Sequence, residues 1–158
     1  NKGILSSHLY SQGKYAEELS LIGPNTGRWV PEIMELNDPE DISYYPYMNG
    51  QFVFKNAVVR FAEVIQEGLE KTGWTADQIN LLVPHQANLR IAQFVQKKFR
   101  LGDDQVYNNI QRYGNTTAAS IPIALTEAWE EGKVKEGSKV VLAAFGSGFT
   151  WGSVMIQW

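Results

Sequence analysis

The sequence has no cysteine. Disulfides, thiolate metal sites and cysteine nucleophiles are therefore excluded within this chain, since each needs a thiol. The absence says nothing about redox compartment. Long apolar runs are missing too: none approaches the roughly 20 residues that span a bilayer. No signal-peptide pattern and no initiating Met are present, and Asn1-Lys2-Gly3-Ile4-Leu5 reads as the interior of a longer polypeptide, so a fragment is expected. Excess positive charge is also lacking. The formal net charge is −3, which argues against bulk nucleic-acid binding. No internal repeat or low-complexity segment is present.

One local absence is informative. Between Asp77 and Asp103 there is no acidic residue, while Arg90, Lys97, Lys98 and Arg100 fall in that window. The same window holds an apolar run at 79–83, which reads as a short buried strand. Pro84 cannot donate to a sheet ladder, so pairing is expected to stop there. His85 then lies just past the strand's C-terminal end, where open α/β sheets place ligand crevices. Asn88 is a good N-cap for the following helix, in which Ala92, Val95 and Phe99 have core spacing and Arg90 and Lys97 share another face. A solvated helix face and a docking site for an acidic partner both fit that basic face.

What is there suffices for one domain with a real core: 158 residues, 44% hydrophobic and 12% aromatic. Residues 4–10 read as a strand closed by Gly13, and His8 within it reads as structural. Residues 17–22 read as a further extended or helical piece. From 23 to 50, Pro24, Pro31, Pro39 and Pro46 mark a long irregular connection, with at most a helical turn or two at 30–36. Tyr44, Tyr45 and Tyr47 are expected to pack on the domain or a partner. Residues 52–72 form the best amphipathic helix, with Val58, Phe61, Ala62, Ile65 and Leu69 in one stripe and Gly73 as its stop. Lys55 is expected in its first turn, a small misfit with the helix dipole.

Residues 106–110 read as a short strand. Asn115 follows Gly114, and is either a turn residue or an amide held at a helix mouth. Thr116 or Thr117 is expected to cap a helix running to about Glu131, with Pro122 in its first turn. Ala118, Ala119 and Ser120 are small enough to let another backbone approach. A strand at 139–145, the turn Gly146-Ser147-Gly148 and a second arm at 149–158 make a hairpin. That turn is either plain or a wall of an oxyanion site. The order of elements predicts an α/β domain with a mixed sheet.

Three ordered blocks carry more than spacing: Val-Pro-His-Gln-Ala-Asn-Leu-Arg at 83–90, Tyr-Gly-Asn-Thr-Thr-Ala-Ala-Ser-Ile-Pro at 113–122 and Ala-Phe-Gly-Ser-Gly-Phe-Thr-Trp-Gly at 144–152. They closely resemble β-ketoacyl-acyl-carrier-protein synthase III, the initiating condensing enzyme of bacterial fatty-acid synthesis. The likeness extends through 47–55 and 3–9. It implies a thiolase-like fold whose C-terminal half carries a mixed five-stranded sheet flanked by helices. Residues 1–50 would be the end of the N-terminal half and a long connection, and 51–158 the C-terminal condensing-enzyme domain.

The family's nucleophile is a cysteine of the other half, so this chain alone is expected to be inactive. Residue by residue, the resemblance implies that His85 and Asn115 donate hydrogen bonds to the malonyl thioester oxygen during decarboxylation. It assigns the backbone at Ser147 to the acyl-enzyme oxyanion, with Ser147 standing where many members have Gly or Ala. Met48, Gly50, Asn88 and Phe145 would line the CoA channel. Lys55, Arg90, Lys97 and Lys98 would receive acyl carrier protein. Acyl-CoA and malonyl-acyl-carrier-protein would be substrates, with no metal and no cofactor. The other half would be a partner, and the complete enzyme a cytoplasmic homodimer without nucleic-acid or membrane partners. A condensing enzyme for another product, such as a polyketide or quinolone-type precursor, and a non-catalytic carrier-binding half remain as alternatives.

Overall fold

The structure is a computed structural model that describes residues 2–21 and 45–158. Most of the long connection, including the turns expected at 30–36 and Tyr44, lies outside the described residues. Strand β1 (Gly3–Ser11) is followed by a 3-10 turn at Gly13–Glu18 and the two-residue strand β2 (Leu19–Ser20). β2 pairs with β3 (Tyr47–Met48), and the Asn49 N–H donates to the Glu18 carbonyl at 2.9 Å. That small clasp ties the two ends of the connection together. Tyr45 and Tyr47 are exposed on this chain rather than packed on its domain.

The apolar stripe yields α1 (Gly50–Thr72), with Val53, Ala57, Val58, Phe61, Ile65 and Leu69 buried. Asn49 caps it by accepting from the Phe52 N–H, and Gly73 closes it at φ 69°, a conformation that glycine adopts without cost. Because the helix begins at Gly50, Lys55 lies in its second turn. The expected dipole misfit is therefore absent, since that effect fades beyond the first turn.

Strand β4 (Leu81–Pro84) is wholly buried and leads to α2 (Leu89–Phe99). Pro84 does not end the pairing. It occupies the last ladder position opposite Ala143, and the His85 N–H still donates to the Ala143 carbonyl at 2.8 Å. A parallel ladder uses alternate residues on each strand, so a proline N without a hydrogen fits where that N faces away from the neighbour. Helix α3 (Ile110–Tyr113) is one turn, and α4 (Ser120–Glu130) follows a 3-10 turn at Thr117–Ala119. Neither Thr116 nor Thr117 caps α4 with its side chain. Strands β5 (Lys139–Gly146) and β6 (Thr150–Gln157) form the expected hairpin.

The main sheet has the order β1-β6-β5-β4, with β5–β4 parallel and the other pairs antiparallel. The fold is thus a mixed, thiolase-like α/β arrangement. The expected fifth strand at 106–110 is reduced to one parallel bridge between Leu82 and Val106, because the chain turns into α3 at Ile110. One sheet face packs on α1 and α2 through Val141, Ala143, Phe145 and Met155, joined by Phe61, Ile65 and Val95. Each of these side chains larger than alanine, when fully buried, contributes roughly 1.5–3 kcal/mol. The opposite face meets α4 through Leu81, Val83, Val140, Ala124 and Ala128. Close approach of β1 to β6 requires glycine at 152, where a Cβ would lie 2.8 Å from the His8 carbonyl oxygen.

Candidate active site

The C-terminal ends of β4 and β5, the start of α4 and the start of α1 converge on one cavity of about 1080 Å³. His85, Asn115, Met48, Gly50, Asn88, Phe145 and Ser147 all line it. Seven residues scattered over a hundred positions of sequence are therefore brought to one wall. The basic residues are not among its lining. Arg90 instead lines a smaller adjoining depression of about 330 Å³ with Gly50, Gln51, Phe54 and Asn88, three of which (Gly50, Phe54 and Asn88) also line the main cavity. Arg90 thus stands beside the cavity mouth.

His85 is half-buried, and its Nδ1 lies 2.6 Å from the hydroxyl of Ser120. Burial holds its pKa below the ordinary histidine value, so the ring is neutral near pH 7. The next residue, Gln86, is buried and fully used. Its Nε2 donates to the Pro84 carbonyl at 2.7 Å and the Tyr107 carbonyl at 3.2 Å, and its Oε1 accepts from the Asn109 N–H at 3.0 Å and the Ile110 N–H at 3.2 Å. This side chain pins the β4 end to the segment that leads to Asn115.

Asn115 is exposed to the cavity, and its Oδ1 accepts from the Thr117 N–H at 2.9 Å. With the oxygen so engaged, the amide NH2 is the group left to donate. Asn115 therefore takes the role expected of the threonines, satisfying an orphan N–H before α4. Upstream, Glu127 accepts from Asn109 Nδ2 at 2.8 Å, Arg112 Nη2 at 2.6 Å and the Tyr113 hydroxyl. These bonds, led by those from Asn109 and Tyr113, hold its carboxyl below the usual range. Tyr107 donates to Glu131 at 2.7 Å, and burial with that hydrogen bond pushes its hydroxyl up to about 12. The network fastens the approach to Asn115 onto α4.

The Ser147 turn is braced from two sides. The Thr150 hydroxyl donates to the Ser147 carbonyl at 2.9 Å, and Phe149 exchanges backbone hydrogen bonds with Gln12 at 2.7 and 2.9 Å. Gly148 has φ 131°, and a Cβ there would come within 2.8 Å of Thr150 Cγ2, so a side chain is excluded on both counts. Asn88 caps α2 by accepting from the Arg90 N–H at 2.9 Å. Lys97 and Lys98 occupy the last turn of α2, where cations are favoured. Among the described residues, Lys55, Arg90, Lys97 and Lys98 form no ion pair with a carboxylate.

Residues 69–158 match the family described as 3-oxoacyl-[acyl-carrier-protein (ACP)] synthase III C terminal. The chain belongs to this family. It is 44% identical over 155 residues to the β-ketoacyl-[acyl-carrier-protein] synthase III of Shigella dysenteriae, a match covering 98% of this chain and 45% of that protein. The corresponding protein of Rhodospirillum centenum is 41% identical, over the whole chain and 45% of its own length. Two crystal structures of 3-oxoacyl-[acyl-carrier-protein] synthase III are similar in fold at 39% identity: that from Aquifex aeolicus, with a TM-score of 0.84 over 99% of this chain and 45% of that one, and that from Thermus thermophilus, with a TM-score of 0.85 over the whole chain and 47% of that one. The chain therefore spans about half the length of the synthase III proteins it matches.

Two residues of this site were not singled out in sequence. Ser120 reads there only as a small residue, and Gln86 passes as the neighbour of His85. The available signal was polarity. A buried Gln directly after a sheet-end His, and a Ser directly before the apolar run Ile121–Leu125 of a helix, each need a partner.

Proposed function

We propose that this chain supplies the decarboxylation and carrier-binding side of a 3-oxoacyl-acyl-carrier-protein synthase III. The observation that carries the reading is the convergence of His85, Asn115 and the Ser147 turn, from three separate sequence blocks, on one cavity. In the reaction, a cysteine from a segment outside this chain takes an acyl group from acyl-CoA, commonly acetyl-CoA. Malonyl-acyl-carrier-protein then enters. Its bond to the free carboxylate breaks, CO₂ leaves, and the electron pair passes into an enolate whose charge falls on the thioester oxygen. The His85 Nε2–H and the Asn115 amide donate to that oxygen. The neutral state of His85 suits this role, since a donor is needed and a proton transfer is not.

The nucleophilic carbon attacks the acyl-enzyme carbonyl. Backbone N–H groups at the Ser147 turn and at the cysteine donate to the tetrahedral oxyanion as its charge develops. Collapse breaks the carbon–sulfur bond to the cysteine and leaves a 3-oxoacyl chain on the carrier, the first condensation of fatty-acid synthesis. Acyl-CoA and malonyl carrier protein are substrates in this scheme, and no resident cofactor takes part. Lys55, Arg90, Lys97 and Lys98 form the docking patch for the acidic carrier, with Arg90 nearest the channel. That these cations form no ion pair with a carboxylate among the described residues supports that assignment.

Without a thiol, the chain by itself cannot form the acyl-enzyme. The test compares the isolated chain with a full-length synthase that contains it, each given acetyl-CoA and malonyl-acyl-carrier-protein. Intact-mass spectrometry should find an acetyl adduct and a 3-oxoacyl product with the full-length protein only. A full-length protein that acylates but makes no 3-oxoacyl carrier product would overturn the assignment.

A further inference from the structure

Ser120 is a polar group buried beside the site, at 2% exposure, and the reaction scheme above does not use it. Its hydroxyl lies 2.6 Å from His85 Nδ1 and 3.2 Å from the backbone N–H of Gln86. It has no further hydrogen-bond partner among the described residues. An amide N–H can only donate, so Oγ accepts from Gln86. The single hydroxyl hydrogen then has one place to go.

If His85 Nδ1 carried the ring proton, Nδ1–H would also donate to Oγ, and the buried hydroxyl hydrogen would face no acceptor. Buried polar hydrogens without partners are rare because desolvation is then uncompensated. If instead Oγ–H donates to Nδ1, every group in the chain Gln86 N–H, Ser120 Oγ–H, His85 Nδ1 is satisfied. A neutral imidazole holds one ring hydrogen, which must then sit on Nε2. Nε2 has no protein partner among the described residues, and His85 lines the cavity.

We propose that Ser120 is a positioning residue that fixes His85 in its Nε2–H tautomer, so that the ring presents a donor to the cavity. The proposal rests on the assignment of His85 as a donor to the enolate. Ser120 is also the first residue of α4, directly after the turn that binds Asn115 Oδ1. One helix start therefore sets the donor direction of both groups, the imidazole through a hydroxyl and the amide through a backbone N–H. Gln86 keeps the geometry rigid, since its side chain locks the peptide whose N–H reaches Ser120.

The test is a long-range ¹H–¹⁵N correlation spectrum of the full-length synthase labelled with ¹⁵N-histidine, at neutral pH. His85 in the unsubstituted protein should show a protonated Nε2 and an unprotonated, pyridine-type Nδ1. A protonated Nδ1 would overturn the proposal before any variant is made. In Ser120→Ala the ring should become a mixture of tautomers, and malonyl decarboxylation should fall about 10-fold, the size expected for one hydrogen bond, while acyl transfer from acyl-CoA is unchanged. Ser120→Thr, which keeps a hydroxyl, should hold the Nε2–H tautomer. A pure Nε2–H ring in Ser120→Ala would sink the proposal. A changed tautomer with an unchanged decarboxylation rate would leave the tautomer role of Ser120 standing and overturn the donor role of His85.

Discussion

The two histidines occupy opposite surroundings. His8, on β1, has its Nδ1 3.1 Å from the carboxylate of Glu67 on α1, and its Nε2 3.2 Å from the Ser6 hydroxyl. The Tyr10 hydroxyl also donates to the Glu67 carboxylate, whose two oxygens lie 2.7 and 2.8 Å from it, which with the His8 contacts keeps that carboxyl below the ordinary value. Both nitrogens of His8 are used: Nδ1 ties β1 to α1 through Glu67, and Nε2 meets Ser6 of the same strand. His85 meets a hydroxyl and no carboxylate, and keeps one nitrogen for the cavity. Burial among neutral groups favours the uncharged ring at His85. The same side chain is thus a fastener in one place and a neutral donor in the other. The difference comes wholly from the neighbours.

The sharpest way to break this comparison is to delete each ring in turn in the full-length synthase. His85→Ala should lower CO₂ release from a malonyl thioester by about 10²–10³-fold, the usual loss for one preorganised oxyanion donor, and spare acyl loading. His8→Ala should leave both steps intact. Equal damage to loading and decarboxylation in His85→Ala would mean that the ring holds structure rather than charge.

A smaller effect tests the rim against the interior. Arg90→Glu should weaken use of malonyl carrier protein about tenfold at low salt, less at high salt, and leave acyl-CoA loading unchanged. Saturation curves with carrier protein at two ionic strengths measure it. A salt-independent loss would take Arg90 off the docking patch.

Acid should act on stability through His85. The folded pKa of His85 lies below its unfolded value of about 6.5. Between those two values the unfolded chain binds more protons, so stability falls as pH drops through that window. Denaturant titrations at about pH 7 and about pH 5.5 should show a smaller acid loss in His85→Gln than in the unsubstituted protein. The least effect is expected at the other ring. Glu67→Gln should cost at most ~1 kcal/mol, because a partly exposed polar contact is screened by solvent, and should not alter the rate of any step.

Local chemistry made much of this legible. The stripe from Val53 to Leu69 could form only a buried-faced helix, and Asn49, Asn88 and Gly73 stop or start helices for reasons contained in a few neighbouring residues. The hairpin around Gly148 follows from a turn that excludes any Cβ. The errors arose where distant partners intervene. Pro84 pairs because of Ala143, the segment after Val106 bends into α3 instead of extending its single bridge to Leu82, and Tyr47 joins a two-residue clasp with β2.

The candidate site divides in the same way. His85, Asn115 and the Ser147 turn could be named from their sequence blocks, since residue type and immediate neighbours carry that information. Their meeting in one cavity, the neutral state of His85 and the partnership of Ser120 with its Nδ1 could not. The sequence by itself determined which groups are present: no thiol, two imidazoles, an acid-free basic helix and the glycines of a tight turn. Tertiary structure alone decided which of those groups are desolvated, which hydrogen bonds they make and which atoms remain free. Those properties depend on residues tens of positions apart, and hydrogen-bond geometry and burial exist only once the chain has brought them together.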